Sequence, residues 1–146
     1  MIDFKGYQQC NACMERITNA GHWISYVDGV AEYSDVAAIQ AIIDAFTLDE
    51  ARAPIIGQIK ALAREKILAF LPDWKQSNFN ARMNELNLVR VERAWTTEEA
   101  AEVAYLQSMW DKAKAIRSAS NAHEVNLSTL STYAEVSKYD IYANWP

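Results

Sequence analysis

At 146 residues, 51% of them hydrophobic and 23% charged, the chain has the size and composition of one ordinary domain, with little room for a second core. Four Gly and three Pro are too few for a linker or a low-complexity tract, and no apolar run approaches the roughly 20 residues of a membrane span. The start, Met1 to Lys5, has no signal-peptide pattern, so a cytoplasmic protein with no membrane partner is expected. The net charge of −5 is uneven: residues 1–50 carry two basic groups against eight acidic, 51–95 eight against four, and 96–146 four against seven. The Lys and Arg of the middle segment are interleaved with Glu as on a solvated helix face, which argues against a nucleic-acid partner.

The first element expected is a helix from about Lys5 to Ala20, stopped at Asn19-Ala-Gly21, because Gly reaches the left-handed conformation without strain. His22–Val27 and Val30–Tyr33 are β-prone runs around Asp28-Gly29, a hairpin signal. An isolated hairpin is marginal in water, so it must pack on helices or gain a third strand from the chain's start or from a partner. Ser34 is expected to cap a helix with the apolar stripe Val36, Ile39, Ile43 and Phe46. Thr47 and Glu50 form a capping box for the next helix, which tolerates Pro54 in its first turns and carries Ile55, Ile59, Leu62 and Phe70 to about Leu71. Pro72 interrupts, and a further helix is expected from Asp73 to about Arg93. A second capping box, Thr96 with Glu99, opens the longest helix, to about Asn121, with Val103, Leu106, Trp110 and Ala113 on one face. A short helix over Thr132–Lys138 and an aromatic tail follow.

These elements predict a mainly α (α+β) protein. Its expected form is a helical hairpin or bundle of about five helices with a small N-terminal β-hairpin. One domain, 1–146, is expected, made of an N-terminal part (1–46), a bundle (47–126) and an aromatic C-terminal segment (127–146). Trp74 and Trp110 are expected to fill the core between the long helices, with Trp95 in the loop that joins them.

Few residues point to catalysis. Cys10 and Cys13 have redox spacing but lack a βαβ setting, and on a helix the pair suits ordinary packing. Cys10, Cys13, His22 and His123 are ligands of a kind zinc accepts, but His123 stands alone far from the rest. No nucleophile–base motif and no phosphate-cradling Gly loop is present. Glu98, Glu99 and Glu102 sit in a first helical turn, where they favour the helix dipole. No enzyme, cofactor or metal is expected. The aromatic residues are the better candidates for contact with a partner: Trp23, Tyr26 and Tyr33 of the hairpin, and Tyr133, Tyr139, Tyr142 and Trp145 near the end. Aromatic anchors near a chain end more often tie down the chain's own terminus than form a binding surface, and the terminal group is open to that reading first.

Phe70-Leu-Pro-Asp-Trp-Lys-Gln76 with Asn78, Ala81-Arg82 and Glu85-Leu86 is similar to a segment in small proteins of tailed bacteriophages and prophages associated with tail fibres. So is Trp110-Asp-x-x-Lys114-Ala-Ile-Arg117-Ser-Ala-Ser-Asn121, downstream of Thr97-Glu-Glu99. The ending Tyr139-Asp-Ile-Tyr-Ala-Asn-Trp145-Pro146 resembles the Trp-Pro terminus common among tail-fibre assembly proteins, and Asp28 to Phe46 is a weaker likeness to their N-terminal portions. The resemblance implies a chaperone that binds a trimeric tail-fibre protein in the host cytoplasm during assembly, with retention in the virion tail left open. It brings no catalytic residues. A structural subunit of the tail, fibre or baseplate is the alternative, and a phage regulator binding a host protein through the acidic N-terminal part is another. In the similar segment, Lys75, Gln76 and Arg82 are expected on a polar face open to partners, with Arg117 and Asn121 bonding across the helical hairpin or to its loops.

Overall fold

The computed structural model describes residues 1–146 as six helices and one two-stranded antiparallel sheet, a mainly α protein with a small β-hairpin near its start. In chain order these are α1 (Asn11–Asn19), β1 (Ile24–Val27), β2 (Val30–Tyr33), α2 (Val36–Ala45), α3 (Leu48–Phe70), α4 (Asp73–Glu92), α5 (Thr97–Thr129) and α6 (Tyr133–Val136). No helix is long and apolar enough to cross a membrane.

Local chemistry sets most of the boundaries. α1 begins at Asn11, six residues later than expected from the sequence. Lys5 and Gly6 both take left-handed backbone conformations, and the bonds Tyr7 N to Phe4 O and Cys10 N to Tyr7 O close turns instead of helix. It ends as expected at Gly21 (φ +84°), where Gly21 N donates to Thr18 O and His22 N to Ile17 O, the paired bonds of a Schellman stop. The cap of α2 is Asp35, whose Oδ1 accepts from Ala38 N at 3.0 Å. Ser34 was the expected cap, but its hydroxyl accepts Trp23 N across the hairpin.

Both expected capping boxes form, Thr47 with Glu50 and Thr96 with Glu99. Between α3 and α4, Gln76 donates from its side chain to Leu71 O, so it serves the turn and is not an open polar contact. α5 continues eight residues beyond Asn121. Its inward stripe runs on through Ser120, His123 and Leu127, each buried, and two of the three are polar, which hides the periodicity in the sequence.

The chain divides into two compact units, one of residues 1–58 and 124–141 and the other of 59–123 and 142–146, and α3 and α5 each give a part to both. In the first, Cys13, Ile17, Ile39, Ile43 and Phe46 form the centre of a buried cluster that also takes Ile2 from the chain's start. That start docks on α2, through Asp3 N to Gln40 Oε1 and Gln40 Nε2 to Asp3 O, and gives the hairpin no third strand. Arg52, only 13% exposed, donates to the carbonyl of Leu130 just past the end of α5 and pairs with Asp49 at 2.6 Å. A cation there complements the negative end of the helix dipole.

In the second unit Ala63 and Ile67 of α3, with Leu71 just past its end, meet Ala113 and Ile116 of α5, and Trp110 packs against them as expected. α4 folds back along α5 and is linked to it by Phe79 on Tyr105 and by Arg82 to Glu102. Trp95, in the connecting loop, donates to Leu86 O at 2.7 Å, and the Arg90 guanidinium lies over its ring. Trp74 is not in the core but 66% exposed. It lies about 120° round α4 from buried Leu86, on a side no neighbour covers. Arg117 and Asn121 are exposed, and the cross-links expected of them are made by Arg82, Arg93 and Trp95.

Candidate partner-binding surface

The hairpin is built by its turn. Asp28 (φ +51°) and Gly29 (φ +80°) are both left-handed, the geometry of a two-residue type I′ turn, whose twist matches that of paired strands. Cα partners run Val27↔Val30, Tyr26↔Ala31, Ser25↔Glu32 and Ile24↔Tyr33. In such a hairpin the pair beside the turn shares ladder bonds, and alternate pairs follow suit. The next alternate pair beyond the strands obeys this, with Ser34 N donating to Trp23 O at 3.1 Å. The backbone groups of Ile24, Tyr26, Ala31 and Tyr33 therefore point away from the ladder, toward the two outer edges. The sheet has no third strand, so each strand keeps one unpaired edge.

Ile24 and Tyr33 turn inward and pack on the core of the first unit. The opposite face carries Trp23, Val27 and Val30, with Ser25 and Glu32 between them. Trp23, Val27 and Val30 are about half exposed or more, and Tyr26, on the inner face but at the turn end, is 69% exposed. Of the three aromatic residues expected here as contacts, Trp23 and Tyr26 are accessible and Tyr33 is mostly taken up by packing. Val27 and Val30 belong to the same surface and were not singled out in the sequence. Their alternation with Ser25 and Glu32 around Asp28-Gly29 was the available signal.

The C-terminal aromatic residues divide differently. α6 is held by a third capping box, in which Thr132 accepts from Glu135 N while the Glu135 carboxylate accepts from the backbone of Thr132 and Ser131. The Thr132 hydroxyl, 2.9 Å from this carboxylate, and then the backbone amides of Ser131 and Thr132 hold the Glu135 carboxyl below the usual glutamate range. Tyr133 donates its hydroxyl to Gln9 O at 3.0 Å, and its ring lies 5.8 Å from that of Tyr7. Asn144 takes a left-handed conformation (φ +60°), and Trp145 beyond it stacks on buried His123 at 5.0 Å, with Lys66 Nζ 5.6 Å from its ring. Tyr133 and Trp145 thus tie down the chain's own end, Tyr139 is half-buried, and Tyr142 is 74% exposed.

The other candidate groups are placed in ways that discourage chemistry. Cys10 and Cys13 are both buried and unbridged, Cys10 at the N-cap of α1. Burial pushes the Cys13 thiol up to about 11, aided by the neighbouring Cys10, so it stays protonated and weakly nucleophilic at neutral pH. No three His, Cys, Asp or Glu side chains gather as a metal-binding group. In the second unit, a recess of about 410 Å³ lies between α3 and α5, lined by Lys66, Phe70, Lys112, Ile116 and Pro146. It has the size of a small-molecule site but offers only two ammonium groups over an apolar floor.

No protein-family model matches the chain, and no curated protein or solved structure is significantly similar to it.

Proposed function

We propose that this protein acts by binding another protein and performs no catalysis, and that it serves as an assembly chaperone for a phage tail fibre. The observation that carries the binding role is the β-hairpin: two strands with an unpaired edge each, and Trp23, Tyr26, Val27 and Val30 exposed around its tip and outer face. An open strand edge next to exposed aromatic and β-branched side chains is what an extended segment needs in order to add to a sheet. A trimeric fibre rich in β structure exposes such segments while it folds. The fibre as the client rests on the likeness of residues 70–121 and of the terminus to tail-fibre-associated proteins.

Co-expression with the fibre gene of the same genome tests this reading, scoring soluble fibre trimer and co-purification. Trimer that forms only with this protein present, and carries it along, is the expected result. The double variant Tyr26→Ala with Val30→Ser is expected to keep its helical circular-dichroism signal and lose the fibre. Fibre that folds alone and never binds the protein would sink the chaperone reading and leave a host protein as the target to look for.

A second reading, a permanent structural subunit of the tail, fibre or baseplate, is favoured by α4. Trp74, Leu88 and Val91 are 66%, 70% and 84% exposed there, apolar surface of the kind a lasting interface covers. Fixed stoichiometry in purified particles, with fibre folding normally in its absence, would select it.

A further inference from the structure

From Ile17 to Ala51 the chain holds no Lys or Arg, but it holds Asp28, Glu32, Asp35, Asp44, Asp49 and Glu50. Four of these six are occupied: Asp44 pairs with Lys5, Glu50 with Arg16 and Asp49 with Arg52, and Asp35 caps α2. Asp28 and Glu32, both exposed and both on the hairpin, have no cationic partner within the chain. Glu32 shares the outer face with Trp23, Val27 and Val30, so an uncompensated carboxylate stands within an apolar strip at the side of an open strand.

We propose that the edge of β2 takes an extended strand of a partner protein bearing Lys or Arg opposite Glu32, with apolar residues two places to either side. Side chains of a strand alternate between faces, so a segment paired to β2 sets every second residue beside Val30, Glu32 and Ser34. Opposite charges directly across a ladder are favourable and like charges unfavourable. The outward backbone groups of Ala31 and Tyr33 supply the hydrogen bonds, Val30 meets one flanking apolar residue, and the other lies beside Ser34, across from Trp23. A second copy of this chain is the poorer occupant, because it would bring the same unpaired acids together.

The proposal deepens the reading of the hairpin as a binding edge, and the test separates the two. Full-length protein is titrated with a blocked peptide, Thr-Val-Thr-Lys-Thr-Val-Thr, and with its counterpart carrying Glu in place of Lys, following backbone amide shifts. The Lys peptide is expected to shift Ala31 and Tyr33 saturably and to bind about ten-fold more tightly than the Glu peptide. The exposed substitution Glu32→Lys is expected to reverse that order with circular dichroism unchanged. Equal binding of both peptides, no shift with either, or shifts outside residues 30–34 would overturn the proposal. Concentration-dependent shifts without peptide would overturn it too, by assigning the edge to a second copy. If the Glu32→Lys chain still co-purifies with fibre while the peptides show no preference, the charged-strand proposal falls and the fibre reading stands. Peptide preference without fibre co-purification has the opposite meaning.

Discussion

Arg93 reaches both carboxylate oxygens of Glu99, Nη1 to Oε2 and Nη2 to Oε1, each at 2.8 Å, while Thr96 N donates to the same carboxylate at 2.9 Å. The end of α4 and the start of α5 are thereby fastened through one acidic side chain. The Arg93 guanidinium first, then the Thr96 amide, lowers the Glu99 carboxyl from the ordinary 4.5 to about 2. A carboxyl depressed in the folded state stabilises that state above its unfolded value, and the contribution is lost as pH falls through the folded value. Wild type is therefore expected to exceed Glu99→Gln in stability at neutral pH, the gap closing between about 4.5 and about 2. Urea midpoints of the two proteins across that range check it. A gap that stays constant with pH would show that the charge plays no part.

Arg82 makes the same kind of fork with Glu102, through Nε and Nη2 at 2.8 Å each, and adds Glu85 at 3.0 Å. Lys keeps the charge but has no planar fork. The pair is largely solvated, so Arg82→Lys is expected to lower the melting temperature by no more than a few degrees. The difference should shrink at about 1 M salt.

Gly29 sits at φ +80° with open space where a side chain would go, so its substitution costs conformation and creates no clash. Gly29→Ala is expected to weaken the hairpin by roughly 1–2 kcal/mol. Amide exchange across the Ser25–Glu32 and Val27–Val30 pairs reads this directly, and faster exchange should be confined to the hairpin.

Trp145 covers His123 and packs on the second unit's cluster while remaining half-buried. Trp145→Ala is expected to cost about 1–3 kcal/mol, less than the loss of a fully enclosed aromatic residue. Denaturant unfolding measures it. Removing residues 133–146 is a blunter change, since it takes Val136, fully buried, and the Tyr133–Gln9 bond as well. Point changes on the hairpin are therefore the cleaner probe of binding.

The helices and the hairpin were legible because their signals are local. Both expected capping boxes, the Gly21 stop and the Asp28-Gly29 turn are short-range geometry, and each forms as its residues predict. The extent of α5 was obscured by Ser120 and His123, polar residues that the fold buries. Trp74 was misplaced because size and apolarity say nothing about which side of a helix has a neighbour. The candidate surface was half legible. Trp23 and Tyr26 stood out as aromatic residues, whereas the importance of Val27, Val30 and Glu32 depends on the strand register and on an edge left unpaired. Tyr133 and Trp145 were expected to tie down their own chain more readily than to meet a partner, and their contacts with Gln9 and His123 show that they do so.

The first compact unit takes its residues from both ends of the chain, 1–58 and 124–141. A ribosome adding roughly 5–20 residues per second needs on the order of ten seconds between the two contributions. Throughout that interval Ile39, Ile43 and Phe46 have neighbours only from their own half, and Arg52 has no Leu130 carbonyl to hold. This unit is thus completed only once residues 124–141 have been made, and a nascent chain stalled before residue 124 presents unfinished apolar surface to the cell's own holdases.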